Sequence, residues 1–233
     1  MVPMRTVHFL SHQDYIGPGQ LGEDVATLGH EPHVHHLWET PDSLAEIAPT
    51  DALVVLGGTM NAYADAQNPW LPAVRALLRE RVAAPVPTLG ICLGHQLAAV
   101  ALGGRVEVAA AAGEERGLTA LRWTPPTTGA AGERLDAAQI LGCPAVVFSD
   151  HADAVTQIPA GAQVWAHSNK YPQVMTAGNL LSVQFHPEMN EDVVATWFRE
   201  REPERYRDFL AQYRAQAALL GDTCLRLAKW LVS

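Results

Sequence analysis

A thiol, an imidazole and a carboxylate stand in this chain where together they could open an amide or an ester. The thiol is Cys92, inside Gly90-Ile91-Cys92-Leu93-Gly94-His95-Gln96. The apolar run 87–91 reads as a short buried strand, and residues 95–102 read as a helix closed by Gly103-Gly104. Glycine at 90 and 94 allows the cramped strand-to-helix turn called a nucleophile elbow, which aims the sulfur into a cleft. A helix N-terminus favours negative charge, so a thiolate and a developing oxyanion are both stabilised there. A lone cysteine is more often a small buried residue without chemistry. The flanking glycines at a strand–helix junction argue against that reading here.

The base lies far downstream. Leu180-Leu181-Ser182-Val183-Gln184-Phe185 reads as a strand that runs into His186-Pro187-Glu188. A thiol needs a base within hydrogen-bond reach, and the base needs a third group to fix its tautomer. His186 can be that base. Glu188, two residues on in an extended segment, returns its carboxylate to the same side, and Pro187 stiffens the spacing. The plainer alternative makes Glu188 an acidic first-turn residue of a following helix. A third strand, residues 51–56, feeds Gly57-Gly58-Thr59-Met60-Asn61. Paired glycines leave backbone N–H groups uncovered, so a carbonyl oxygen can approach; one such donor is worth about 3–4 kcal/mol in a transition state. An ordinary glycine turn would look the same.

Together these segments resemble the three signatures of class I (triad-type) glutamine amidotransferase domains. The likeness covers roughly residues 5–200 in the family's order and is nearest to stand-alone proteins similar to the amidotransferase domain of GMP synthase. The resemblance implies Cys92 as nucleophile, His186 as base and Glu188 as orienting acid. It implies an oxyanion hole from the backbone N–H groups of Gly58 and Leu93, with Gly57 and Gln96 beside the glutamine head group. The segment Ser149-Asp150-His151-Ala152-Asp153 is similar to the family's Ser-His-Gly-Asp, which makes His151 and Asp153 substrate-side positions. Thr59 stands where Pro is usual, and Ala152 where Gly is usual.

A chain of 233 residues suits one α/β domain spanning residues 1–233, with a core over about 5–200 and a helical extension over about 190–233. The expected fold is a central, mostly parallel sheet flanked by helices (flavodoxin-like), with a small antiparallel extension. The net charge of −9 argues against nucleic acid or an anionic membrane as partner. The N-terminus lacks a signal's apolar core, and no stretch approaches a membrane span. Three scattered cysteines, at 92, 143 and 224, make no disulfide framework. A free catalytic thiol suits a reducing cytoplasm.

Alternating patterns place strands at residues 6–10, 33–38, 52–56 and 87–91, with helices at 21–28 and 70–82. Shorter strands follow at 105–108, 118–123, 146–148, 163–167, 173–176 and 180–185, the last three forming the antiparallel extension. Residues 125–132 read as a loop. Tyr206, Phe209, Tyr213, Ala217, Leu220, Cys224 and Leu227 form one apolar stripe. That stripe packs on the sheet or docks a partner; Gly221-Asp222-Thr223 splits it in two, with Asp222 as a cap. His30, His33, His35 and His36 cluster, but without Cys and at no usual zinc spacing, so no metal is expected. Gly17-Pro18-Gly19-Gln20-Leu21-Gly22 lacks the Lys-Ser/Thr of a phosphate loop, and no cofactor is indicated.

Three functions are compatible with these residues. The first is a thiol enzyme hydrolysing the γ-amide of glutamine, or another γ-glutamyl compound, alone or beside a separate ammonia-accepting synthase subunit. The second is a Cys-type α/β-hydrolase acting on esters or lactones, with Asp150 or Asp153 as the acid. The third is a non-catalytic binding module, against which all three triad members argue by being present.

Overall fold

The computed structural model describes residues 4–124, 135–199 and 201–233. The loop expected at 125–132 falls outside the described residues. In chain order the elements are β1 (Thr6–Ser11), α1 (Gly19–Thr27), β2 (Glu31–His36), a 3-10 turn (Pro41–Glu46), β3 (Ala52–Val55), α2 (Leu71–Arg81), β4 (Thr88–Ile91) and α3 (Leu93–Ala101). Then come β5 (Arg105–Glu107), β6 (Glu115–Ala120), β7 (Arg122–Trp123), α4 (Ala137–Leu141), β8 (Val146–His151) and β9 (Ala154–Gln157). The last are β10 (Gln163–His167), β11 (Pro172–Ala177), β12 (Leu180–Val183), α5 (Glu191–Phe198) and α6 (Tyr206–Leu231).

Among the described residues, eight strands form the main sheet in the order β2-β1-β3-β4-β12-β11-β10-β7. Pairing is parallel from β2 through β12 and antiparallel beyond it. This is the expected α/β sheet with its antiparallel extension. Parallel strands covered on both faces must be apolar throughout, and β3, β4 and β12 are buried at every position. Val54 and Leu89 point to one face, where α1, α5 and α6 supply Val25, Phe198, Phe209 and Leu227. Leu53 and Val55 point to the other, against Leu71, Leu78 and Leu97 of α2 and α3. Because β3, β4 and β12 are adjacent and parallel, their carboxyl ends open on one edge. Gly57, Cys92 and His186 follow those three ends.

Several expectations are corrected. The second strand is Glu31–His36 rather than 33–38; Pro32 is tolerated because β2 is an edge strand of the sheet. The strand expected at 118–123 is two strands: β6 pairs with β8 in a separate ribbon, while β7 joins the main sheet. The stripe at the C-terminus is one unbroken helix, α6, whose Phe209, Tyr213, Leu220, Cys224 and Leu227 are buried in the core. Tertiary packing outweighs the roughly 1 kcal/mol that Gly221 costs a helix. Asp222 is no cap; it accepts from Arg226 one turn on, at 2.7 Å. Among the described residues, no helix is long and apolar enough to cross a membrane.

Two histidines in this frame make stability depend on pH. His95 on α3 is fully buried, with Nδ1 2.9 Å from Ser182 Oγ of β12. Burial, then the nearby His151, pushes its pKa down to about 3. Burial lowers His12 to about 4, and its Nδ1 accepts from Trp70 Nε1 at 3.1 Å. Both rings are neutral in the fold, whereas an unfolded histidine gains its proton near pH 6.5. Their stabilisation is therefore complete above that pH and lost as pH falls towards the folded values. Thermal midpoints should drop between pH 6.5 and about 4, and less steeply in His95→Asn. Equal slopes for the two proteins would refute the assignment to His95.

Candidate active site

The elbow is built by contact as well as by turning. Cys92 itself has φ 50° and ψ −100°, one of three non-glycine residues with positive φ among the described residues. Such a conformation stores about 1–3 kcal/mol and persists only where the surroundings impose it. Cys92 N donates to Val183 O at 2.9 Å, prolonging the β4–β12 pairing, and Cys92 O accepts from Gln96 N at 3.0 Å, opening α3. The flanking glycines serve close approach. A Cβ at Gly90 would lie 2.7 Å from Gly94 O, and one at Gly94 would lie 2.1 Å from Val55 O. Neither glycine has positive φ; the strained residue is the cysteine.

His186 and Glu188 follow the neighbouring strand. His186 N donates to Phe148 O at 2.9 Å, and Glu188 O accepts from Gln20 N at 2.9 Å, so both ends of the triplet are pinned. His186 Nδ1 lies 2.8 Å from Glu188 Oε1. Glu188 is completely buried, and the edge of Trp197 stands against the imidazole at 4.8 Å between ring centres. Burial alone would hold His186 neutral. The Glu188 carboxylate, then the nearby Cys92, outweigh it and raise the imidazole well above its ordinary 6.5. With Nδ1 committed to the carboxylate, Nε2 is the nitrogen left for chemistry.

The glycine turn closes over both groups. A Cβ at Gly57 would lie 3.1 Å from His186 Cε1 and 3.7 Å from Cys92 Cβ, so a side chain here would press on the imidazole. Gly58 sits on α3: its Cβ would be 2.6 Å from Leu93 Cδ2. Thr59, where the resemblance leads one to expect Pro, uses the N–H that Pro lacks. Its N–H and Oγ1 both donate to Gln13 Oε1, at 2.8 and 2.9 Å.

A cleft of about 210 Å³ opens over Cys92 and His186, below the roughly 300–1,000 Å³ of drug-sized ligand sites. Gly58, Gln96, His151 and Asp153 line it, as do Arg116, Asp150, Trp197 and Arg201. The side chains of Gln96, His151 and Asp153 brace its wall. Gln96 Nε2 donates to Asp153 O at 2.9 Å, and Asp153 Oδ1 accepts from Ala109 N at 2.9 Å. Both His151 nitrogens face acceptors, Asp153 O at 3.0 Å and Glu115 Oε2 at 3.1 Å. Asp150 pairs with Arg116 and Arg201 at 3.4 and 3.3 Å. Neither aspartate carboxylate is the acid on His186 Nδ1; that place belongs to Glu188.

Sequence reasoning missed Gln184, whose Nε2 is 3.7 Å from Cys92 Sγ. Its position two residues before His186 on an extended run was a usable signal. Arg116, Trp197 and Arg201 had none, since only the tertiary fold brings them to the cleft. A thiol beside a base anchored by a buried acid, with a helix start beneath it, is equipped for acyl transfer.

Comparisons with known proteins place the sequence and the fold. A family model described as glutamine amidotransferase class-I matches residues 20–196. GMP synthase [glutamine-hydrolyzing] of Streptococcus equi subsp. zooepidemicus is 34% identical over 160 residues, covering 66% of this chain and 27% of that protein. The enzyme of the same name from Leifsonia xyli subsp. xyli is 41% identical over 109 residues, 45% of this chain and 20% of its own length. The chain thus spans about a quarter of the curated relatives it matches. A glutamine amidotransferase from Thermotoga maritima shares the fold with TM-score 0.83 at 23% identity, over 99% of both chains. A glutamine amido transferase from Methylobacillus flagellatus superposes with TM-score 0.76 at 24% identity, over 98% of this chain and 96% of its own.

Proposed function

Because the chain belongs to the class-I glutamine amidotransferase family, a family of enzymes, we propose that it hydrolyses the γ-amide of glutamine through a γ-glutamyl thioester on Cys92. The observation that carries this reading is the His186–Glu188 bond of 2.8 Å beside Cys92, on the shared edge of β3, β4 and β12. Cys92 Sγ attacks the carbonyl carbon, and its proton passes to His186 Nε2. The N–H groups of Gly58 and Leu93 receive the oxyanion. As the tetrahedral species collapses, His186 protonates the departing nitrogen and ammonia leaves. A water then attacks the thioester, giving up a proton to His186, and glutamate departs with the thiol restored. Gly57 keeps the approach to sulfur and imidazole open. Gln96, His151 and Asp153 shape the wall that faces the amino-acid end of the substrate.

Ammonia released here needs either an acceptor or an exit. A separate synthase subunit is the acceptor we favour, since the curated relatives are glutamine-hydrolysing synthases. A reducing cytoplasm would keep the thiol free. Purified protein is to be incubated with glutamine and with γ-glutamyl peptides and amines, with and without a candidate synthase subunit. Equimolar glutamate and ammonia from glutamine is the expected result. Release of glutamate only from γ-glutamyl amines or peptides would make it a γ-glutamyl hydrolase instead. Release from none of them, with or without the subunit, would end the proposal.

The Glu188 carboxylate sets the imidazole's proton affinity, which gives a signed expectation for pH. Glu188→Gln removes the charge that raises His186, so the His186 titration moves to lower pH. The wild-type ring also contributes stability that is full below pH 6.5 and lost as pH rises through its elevated folded pKa; Glu188→Gln should lack that alkaline loss. Turnover should fall about 10²–10⁴-fold, less than on losing the thiol, because the base remains. A pH–rate profile with an NMR titration of His186 tests both. A titration unmoved in the variant would remove Glu188 from this role.

A further inference from the structure

A second cluster of ligating groups lies on the sheet's outer edge, built from histidines the catalytic site does not use. His33 and His35 are two residues apart on β2 and so share one face of an edge strand. The 3-10 turn that follows brings Glu46 to the same place. One donor atom from each of His33, His35 and Glu46 lies within 4.8 Å of the others. His33 and Glu46 are exposed, and His35 is buried behind them. The sequence spacing matched no zinc pattern because the third donor is eleven residues from His35, on an element whose return to β2 only the fold shows.

We propose that His33, His35 and Glu46 bind one divalent transition-metal ion of the Zn²⁺ class, with water completing its coordination. Two imidazoles and one carboxylate are the donors such an ion prefers. Calcium and magnesium demand an all-oxygen shell that this cluster does not offer. Metal–ligand bonds of about 2.0–2.1 Å place tetrahedral donors about 3.3 Å apart. The exposed side chains of His33 and Glu46 are the ones free to turn towards such an ion.

Behind His35 stands the support that a ligating imidazole normally has. Asp51 Oδ2 accepts from Ala48 N at 3.0 Å and faces His8 Nε2 at 3.2 Å. A carboxylate partner makes Nε2 the protonated nitrogen of His8, so its Nδ1 carries the lone pair. That lone pair faces His35 Nε2 at 2.8 Å. His35 Nε2 therefore bears the hydrogen, and Nδ1 of the same ring keeps the lone pair that a metal takes. An Asp51–His8–His35 relay thus selects the ligating tautomer from two strands away. The bound ion would tie the 3-10 turn to β2, the edge of the sheet among the described residues, a place where proteins need protection.

The test uses the full chain carrying Cys92→Ala and Cys143→Ser, so that accessible thiols cannot contribute. Titration with Zn²⁺ by calorimetry and with Co²⁺ by absorption should give one equivalent, with d–d bands and no sulfur charge-transfer band. The thermal midpoint should rise with added Zn²⁺. His33→Ala and Glu46→Gln, both at exposed positions, should each weaken binding at least tenfold and abolish that rise. Asp51→Asn should weaken it about 10–100-fold through the relay. Failure of the parent protein to bind either ion at one equivalent overturns the proposal, as does affinity unchanged in both His33→Ala and Glu46→Gln.

Discussion

Cys92→Ala should lower glutamine turnover by about 10⁴–10⁶-fold, the loss typical of removing a nucleophile that acts as one unit with its base. The thermal midpoint should hardly move, because alanine keeps the Cβ and the forced backbone and loses only one sulfur at the cleft wall. Cys92→Gly separates two effects that alanine leaves joined. At φ 50° and ψ −100° a side chain is strained, and glycine is not. Against glycine's greater freedom in the unfolded chain, the net gain should be about 1 kcal/mol or more, a rise of about 2–4 °C per kcal/mol at this size. Such a variant would be more stable and inactive. Turnover and melting of the three proteins, measured side by side, decide both points. Retained turnover in Cys92→Ala would take the nucleophile away from this residue, and a lower midpoint in Cys92→Gly would show that the elbow holds no strain.

The residues we assign to chemistry were more legible than the residues that surround them, and the reason is physical. A nucleophile at a strand–helix turn requires glycines nearby, and those glycines cannot be disguised in sequence. The His186-Pro187-Glu188 triplet is likewise local, so its geometry follows from extended backbone alone. Parallel strands were readable because burial on both faces demands unbroken apolar runs such as Ala52–Val55. Elements whose identity depends on partners were not. β6 and β7 are nearly contiguous in sequence, yet join different sheets because their partners, β8 and β10, differ. Nothing local distinguishes them. Gly221 looked like a break until the burial of Leu220, Cys224 and Leu227 was known. The short helix α4 had a clear start in Asp136, whose side chain accepts from Gln139 N at 2.9 Å, and a left-handed Gly142 at its end. That signal was available and overlooked. Arg116 and Arg201 reach the cleft from separate elements, so no spacing rule could have joined them to Cys92.

Gly94→Ala should be among the most destructive single methyl additions at the described glycines. The new Cβ would stand 2.1 Å from the carbonyl oxygen of Val55, an atom held in β3 by the neighbouring strands. No rotamer relieves a clash between Cβ and main chain, so α3 must lift away from the sheet. Overpacking usually costs about 1–3 kcal/mol where side chains can yield; here only backbone can, and the loss should exceed that range. Gly221→Ala is the matched control. It adds the same methyl inside α6, where among the described residues nothing lies within 4 Å, and should stabilise by about 0.5–1 kcal/mol. The two variants therefore move in opposite directions, although both replace a glycine of a helix by the best helix former. Any Gly94→Ala protein that remains folded should still turn over at least about 10²-fold more slowly, because lifting α3 carries Cys92 off its line to His186. Denaturant unfolding and turnover at a permissive temperature measure the two losses separately. A Gly94→Ala protein of wild-type stability and rate would mean that contact between α3 and β3 does not hold the sulfur in place, and the account of the elbow would have to be rebuilt.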